Sequence, residues 1–265
     1  MRRLETDLGR RSEPAKDVEA RREASWGNDL AQLALTGIVL LAATAGGALM
    51  LAVAENGNAS YQTLTLYVTL PASLVIFLVA AVARTAGLAS FARAVVLGLA
   101  FGAVSTAGLE LVRNVGFYEF NSMPGQLPEL MGVLVTNRIM LGPTIGSDIV
   151  GWALHVWNGA LFGVTFALLA GGFPRRKSHW YGAALGLGFG LVIGTGFLAS
   201  PVSRATGAGI FGSVIGAKYV ITVYLAHAVF GSVLGALVHR FGPGFAPVWE
   251  LALRLLPRRH HLARA

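Results

Sequence analysis

Six apolar runs of membrane-spanning length, about Leu30 to Ala54, Leu64 to Ala83, Ala94 to Val112, Ile149 to Ala170, Tyr181 to Ala199 and Tyr219 to Val238, constrain this chain more than any motif in it. Each is long enough to cross about 30 Å of hydrocarbon as a helix. Inside a bilayer only helices or a closed barrel satisfy the backbone, and these runs lack the alternation of barrel strands. The expected fold is therefore all-α, a polytopic membrane bundle of about six transmembrane helices. Composition agrees: 54% of residues are hydrophobic, 13% are charged, and 34 of 265 are glycine. A soluble domain of this size is more polar and far poorer in glycine.

The formal charge of +8 raises the question of nucleic acid, which the distribution of the basic residues answers in the negative. They gather at the ends of apolar runs, as topology signals do. Seventeen of the 21 Lys and Arg residues fall in the N-terminal tail, the Arg84 to Arg93 connection, Arg175 to Lys177, and the stretch from Arg240 onwards. The asymmetry predicts a multi-pass protein of the cell membrane with both termini cytoplasmic. Three parts result: a charged tail at 1–28, a six-helix membrane domain at 29–240, and a basic amphipathic tail at 241–265. The first run ends in Ala52-Val53-Ala54, which fits a signal-peptidase site, but its length argues for an uncleaved span. Pro71 inside the second run calls for a kink or a neighbour.

Two segments are neither span nor tail. Pro128 to Leu141 carries Leu130, Met131, Leu134, Val135 and Leu141 near helical spacing, predicting a short interfacial helix at about 128–141 on the outer surface. Val248 to Leu256 places Trp249, Leu253 and Leu256 on one face, sets Glu250 four residues before Arg254, and is followed by Arg258 and Arg259. It reads as a cytoplasmic helix attracted to anionic lipid.

Residues 97–108 (LGLAFGAVSTAG) match 185–196 (LGLGFGLVIGTG) at seven of twelve positions, and the next span in each case brings His-x3-Gly-x3-Gly, at His155 and at His227. This pattern predicts a tandem repeat of helical hairpins, spans three and four copied as five and six, about an axis along the membrane normal. The four-residue glycine spacing is what closely packed membrane helices use. Paired hairpins of this kind resemble small bacterial inner-membrane proteins of the YagU-like, domain-of-unknown-function type, over spans three to six. The resemblance implies a bacterial inner membrane and supplies no activity.

Polar side chains deep in a span face the bundle interior and mark candidate sites. His155, Asn158 and His227 are such residues, at similar expected depths of about 12 to 16 Å. Glu110 and Arg113, three residues apart, can pair at the outer end of the third span. The bland account has the histidines and Asn158 locking helices together by hydrogen bonds, and Glu110 with Arg113 forming a local ion pair. The functional account makes the five a ligand or pathway site, with Glu110 drawing cations to an outer mouth. His155 and His227 could also hold one haem b or a metal ion. No zinc, nucleophile-elbow or Walker signature is present, so no enzyme is expected. The expected function is a non-enzymatic accessory or scaffold membrane protein, with a small-solute, cation or proton carrier as the alternative and a bis-histidine haem or metal subunit as the third. Its expected surroundings are the lipid bilayer, with a homo-oligomer or a membrane-complex partner left open.

Overall fold

In the computed structural model, residues 26–171, 179–242 and 246–255 are described. The basic cluster Arg175 to Lys177 and most of both charged tails lie outside them. Among the described residues the structure is helical without strands. Six helices are long and apolar enough to cross a membrane.

The first span is a broken helix. α1 (Trp26–Gly46) stops at a glycine pair, and α2 (Ala48–Glu55) restarts after Gly47, whose φ −103 and ψ −148 are not helical. Gly46 and Gly47 sit against Ala72 and Leu161, where a β-carbon on Gly46 would come within 3.1 Å of Ala72. The second span also carries an irregularity. α3 (Tyr61–Leu64) passes through a π-helical stretch, Thr65–Thr69, into α4 (Leu70–Thr85). Pro71 comes two residues after that stretch ends. A wider turn there absorbs the missing N–H and the bulk of the proline ring.

α5 (Ala89–Tyr118), at 30 residues the longest helix described, forms the spine. It packs at length against α7 (Ile145–Ala170) and α10 (Ala217–Phe241), and α4 joins it on another side. α8 (His179–Ala199) packs almost wholly on α10. One apolar core, including Val39, Ile76, Phe91, Val95, Val164 and Leu168, joins α1, α4, α5 and α7. A second, including Leu109, Phe166, Phe230 and Leu234, joins α5, α7 and α10. Leu41, Tyr67, Leu74, Leu111 and Val192 point outward and stay exposed; on spanning helices such residues meet lipid rather than water.

The short helices close one end. α6 (Leu127–Val135) is not a surface helix running on to Leu141. It ends at Val135, and Asn137 in the left-handed region (φ 53) turns the chain. Met131 is fully buried. Bare backbone explains the burial: Gly132 presses on the Ser147 carbonyl of α7 while Gly151 presses on the Pro128 carbonyl. What remains exposed is the following loop, with Met140 94% and Ile145 82% accessible. α7 then starts on a capping box, the Thr144 side chain accepting from Ser147 N while Ser147 Oγ accepts from Thr144 N. α9 (Pro201–Ala205) lies at the same end, where Ser203 Oγ donates to Gly209 O at 2.7 Å.

At the opposite end, α11 (Val248–Leu255) is seated by fully buried Leu251, while Trp249 and Leu253 stay exposed. Arg254 pairs with Glu250 at 2.6 Å, the expected spacing of four, and lies 3.7 Å from Asp29. Gln32 Nε2 donates to Ala246 O at 3.0 Å. The start of α1 and the last described helix therefore share one face, as an even number of spans requires.

Candidate functional site

His155 and His227 are each the eleventh residue of their helices, α7 and α10, so their depths are equal at about 15 Å from the helix starts. Both rings are buried, 8% and 9% exposed. Both line a single cavity of about 340 Å³, together with Asn158, Thr106, Leu51 and Phe197. Asn158, nearly one turn from His155, opens onto the same cavity.

The cavity exists because the four central helices do not close. α5 packs along α10, whereas α7 and α8 barely touch. They meet chiefly at Phe166 and Phe189, with ring centroids 5.2 Å apart. An exact two-fold relation between the hairpins would pack α7 on α8 as tightly as α5 on α10. The arrangement departs from that, and the gap is the chamber, walled by α2 and by Val202 of α9.

Glycines set the register inside each hairpin. A β-carbon on Gly102 would strike the Gly159 carbonyl, and one on Gly163 the Gly98 carbonyl. In the other hairpin Gly186 meets Gly231, and Gly190 meets the carbonyl of His227 itself. The sequence alignment sets Gly102 against Gly190, yet by contact Gly102 matches Gly186: both face the pair formed by the two later glycines of His-x3-Gly-x3-Gly. α5 is therefore one turn out of step relative to α8. In consequence His155 meets Glu110, whereas His227 meets Gly194, whose added β-carbon would lie 3.2 Å from the ring's Cγ.

Glu110 and Arg113 pair as expected, at 2.5 Å, but in a different place. They are 5% and 6% exposed, not at an open outer mouth. His155 Nε2 lies 2.7 Å from Glu110 Oε1. The approach is close but off the line of a hydrogen bond, so Nε2 and the second carboxylate oxygen Oε2 are buried without an aligned partner. Burying three ionisable groups together is costly unless they offset one another, which the Arg113 cation and Glu110 carboxylate do. No signal of local spacing could have joined Glu110 to His155, because they sit on different helices and the one-turn slip decides their meeting.

His227 is held differently. Its Nδ1 lies 2.8 Å from the Val223 carbonyl. A carbonyl can only accept, so Nδ1 carries the proton and in the neutral ring Nε2 presents a lone pair. Among the described residues His155 has no such bond, but its Nε2 stands against the Glu110 carboxylate, and in a neutral ring with the proton on that side Nδ1 is the acceptor. The Asn158 side chain makes no hydrogen bond within the described residues. A mostly apolar chamber thus holds two imidazole acceptors and one amide with unmet capacity. Among the described residues, no group of three or more His, Asp or Glu assembles as a metal site. Ser147 is committed to the α7 cap and has no part in the chamber. Compared with known proteins, the chain matches no family, no curated protein and no solved structure.

Proposed function

We propose that the protein is a non-enzymatic, membrane-embedded carrier that binds a small, largely apolar solute in the chamber shared by His155 and His227. One observation carries the reading: two imidazoles on different helices, at the same depth, line one cavity of about 340 Å³, a size typical of small-molecule sites. Asn158 and the two acceptor nitrogens would orient the solute, and Glu110 with Arg113 would hold His155 in position. Equilibrium binding of p-cresol to the purified protein tests it. His227→Ala is expected to weaken binding about tenfold, the worth of one buried hydrogen bond. Liposome flux separates carrier from scaffold: unchanged flux in both His155→Ala and His227→Ala would leave an accessory or scaffold role.

A second reading rests on how the rings are held. One imidazole faces a carboxylate and the other a backbone carbonyl, the usual outer partners of metal-binding histidines. A Soret band or stoichiometric metal in the purified protein would move the assignment to a haem or metal subunit.

For location, the Lys and Arg asymmetry and the family resemblance support a bacterial inner membrane with both termini cytoplasmic. The shared face of Asp29 and Arg254 supports one sidedness for both ends, and the basic end of the C-terminal tail would meet anionic lipid there. The chain has no cysteine, so single cysteines introduced at Ser25 and Ala265 report sidedness without background. Both are expected to resist an impermeant thiol reagent in intact cells. The repeated sequence pattern supports an ancestral duplication of the α5–α7 hairpin, followed by the one-turn slip.

A further inference from the structure

The chamber does not end at the histidines. A crevice of about 190 Å³ continues it, sharing Ala48, Asn158, Phe162 and Ile193 with the chamber and running on to Thr44, Thr165 and Phe189. It lies between α1, α2, α7 and α8, with exposed Leu49 in its wall, and an exposed leucine on a spanning helix meets acyl chains. From His155 in the chamber to Thr165 in the crevice is ten residues of α7, or about 15 Å. The polar groups are unevenly spread along this trough. His155, His227, Asn158, Thr106 and Ser200 belong to the chamber, and beyond Asn158 the crevice holds only the threonines Thr44 and Thr165. Both threonine hydroxyls already donate to their own helices, at 2.8 and 2.9 Å.

We infer that the solute is a single-chain lipid with a hydroxyl head, which enters sideways from the bilayer with its head between the histidines and its chain in the crevice. The inference rests on the binding role proposed above. An extended chain advances about 1.2 Å per bond, so a tail of about a dozen carbons fills the trough. The head is set by what the chamber lacks. His227 Nε2 and His155 Nδ1 accept and need a donor, while the amide of Asn158 can both give and take. A hydroxyl has one proton and two lone pairs, so it can donate to one of the imidazoles and accept from the Asn158 amide at once. A carboxylate cannot donate to an imidazole lone pair, would lie near the Glu110 carboxylate, and would be buried without a cation to itself, because Arg113 is already paired. An ammonium could donate but could not accept from Asn158. Aliphatic alcohols and quinols share this chemistry and this shape.

The test compares four radiolabelled probes by equilibrium binding to the full-length protein in lipid nanodiscs: dodecanol, a short-tailed quinol, dodecanoate and p-cresol. Dodecanol or the quinol is expected to bind at least about tenfold more tightly than dodecanoate, and the tighter of the two names the source. Thr44→Phe fills the crevice without touching the histidines. It should reduce binding of the tailed alcohol about tenfold and leave p-cresol unchanged. His227→Ala should weaken both, and His227→Gln, which restores an acceptor, should recover part of the loss. Binding of p-cresol that depends on His227, with dodecanol and quinol no better than dodecanoate or insensitive to Thr44→Phe, overturns the lipid inference and leaves the chamber in place. Absence of binding by all four probes, in protein whose unfolding temperature is normal, overturns both.

Discussion

The hairpins α5–α7 and α8–α10 are closed by the same device and equipped differently. In each, glycines at four-residue spacing bring backbone onto backbone, Gly102 on Gly159 and Gly186 on Gly231. In the first, the register carries a carboxylate to the histidine and an arginine with it. In the second, the equivalent place is Gly194, and the imidazole turns to its own helix. The difference teaches that shared packing rules do not imply shared chemistry. A slip of one turn, about 5.4 Å, keeps Gly98 and Gly102 in step with Gly182 and Gly186 and changes which polar groups meet.

The comparison breaks most forcefully at Arg113. Arg113→Ala leaves the Glu110 carboxylate buried without its cation, and a loss of about 3–5 kcal/mol is expected in detergent unfolding. Replacing both partners, Glu110→Gln with Arg113→Gln, should recover most of it. His227→Ala, in the hairpin without a charged pair, should cost far less, about 1 kcal/mol. Should the two hairpins lose equally, their difference in electrostatic loading is wrong.

The glycines test what the hairpins have in common. Gly102→Ala and Gly186→Ala each drive a β-carbon into a facing backbone carbonyl, and each is expected to cost about 1–3 kcal/mol. Gly188→Ala, on the same helix as Gly186 with nothing within 4 Å of its β-carbon, should be neutral or slightly stabilising. Melting temperatures of the three variants decide it, since equal effects at Gly186 and Gly188 would deny the close approach. A small effect on stability is also expected at Gly194→Ala. Its β-carbon would stand 3.2 Å from His227 Cβ and Cγ, so the ring must give by a few tenths of an ångström. Stability should change by no more than about 0.5 kcal/mol, while a shift of the His227 ring resonance by NMR should be clear.

The site was only partly legible in the sequence. His155, Asn158 and His227 stand out because a polar residue in a run of apolar ones must face inward, whatever the neighbours are. Glu110 and Arg113 could be paired from their spacing of three. Their burial and the approach of His155 could not, because both depend on how far α5 slides along α7. The helix expected over 128–141 is present but shorter, ending at Val135, for a related reason: apolar spacing describes a face but not its partner, and Gly132 and Gly151 draw α6 into the bundle.

By itself the sequence settles six spans and the glycine stripes, because hydrocarbon thickness and backbone hydrogen bonding leave no other solution for apolar runs of that length. It also marks the residues that must turn away from lipid. The tertiary structure alone decided that α7 and α8 part, that α1 breaks at Gly46–Gly47 to wall the gap, and that one imidazole meets a carboxylate while the other meets bare backbone. Those outcomes rest on packing between helices distant in the chain, where many registers satisfy the same local pattern and side-chain volumes choose among them.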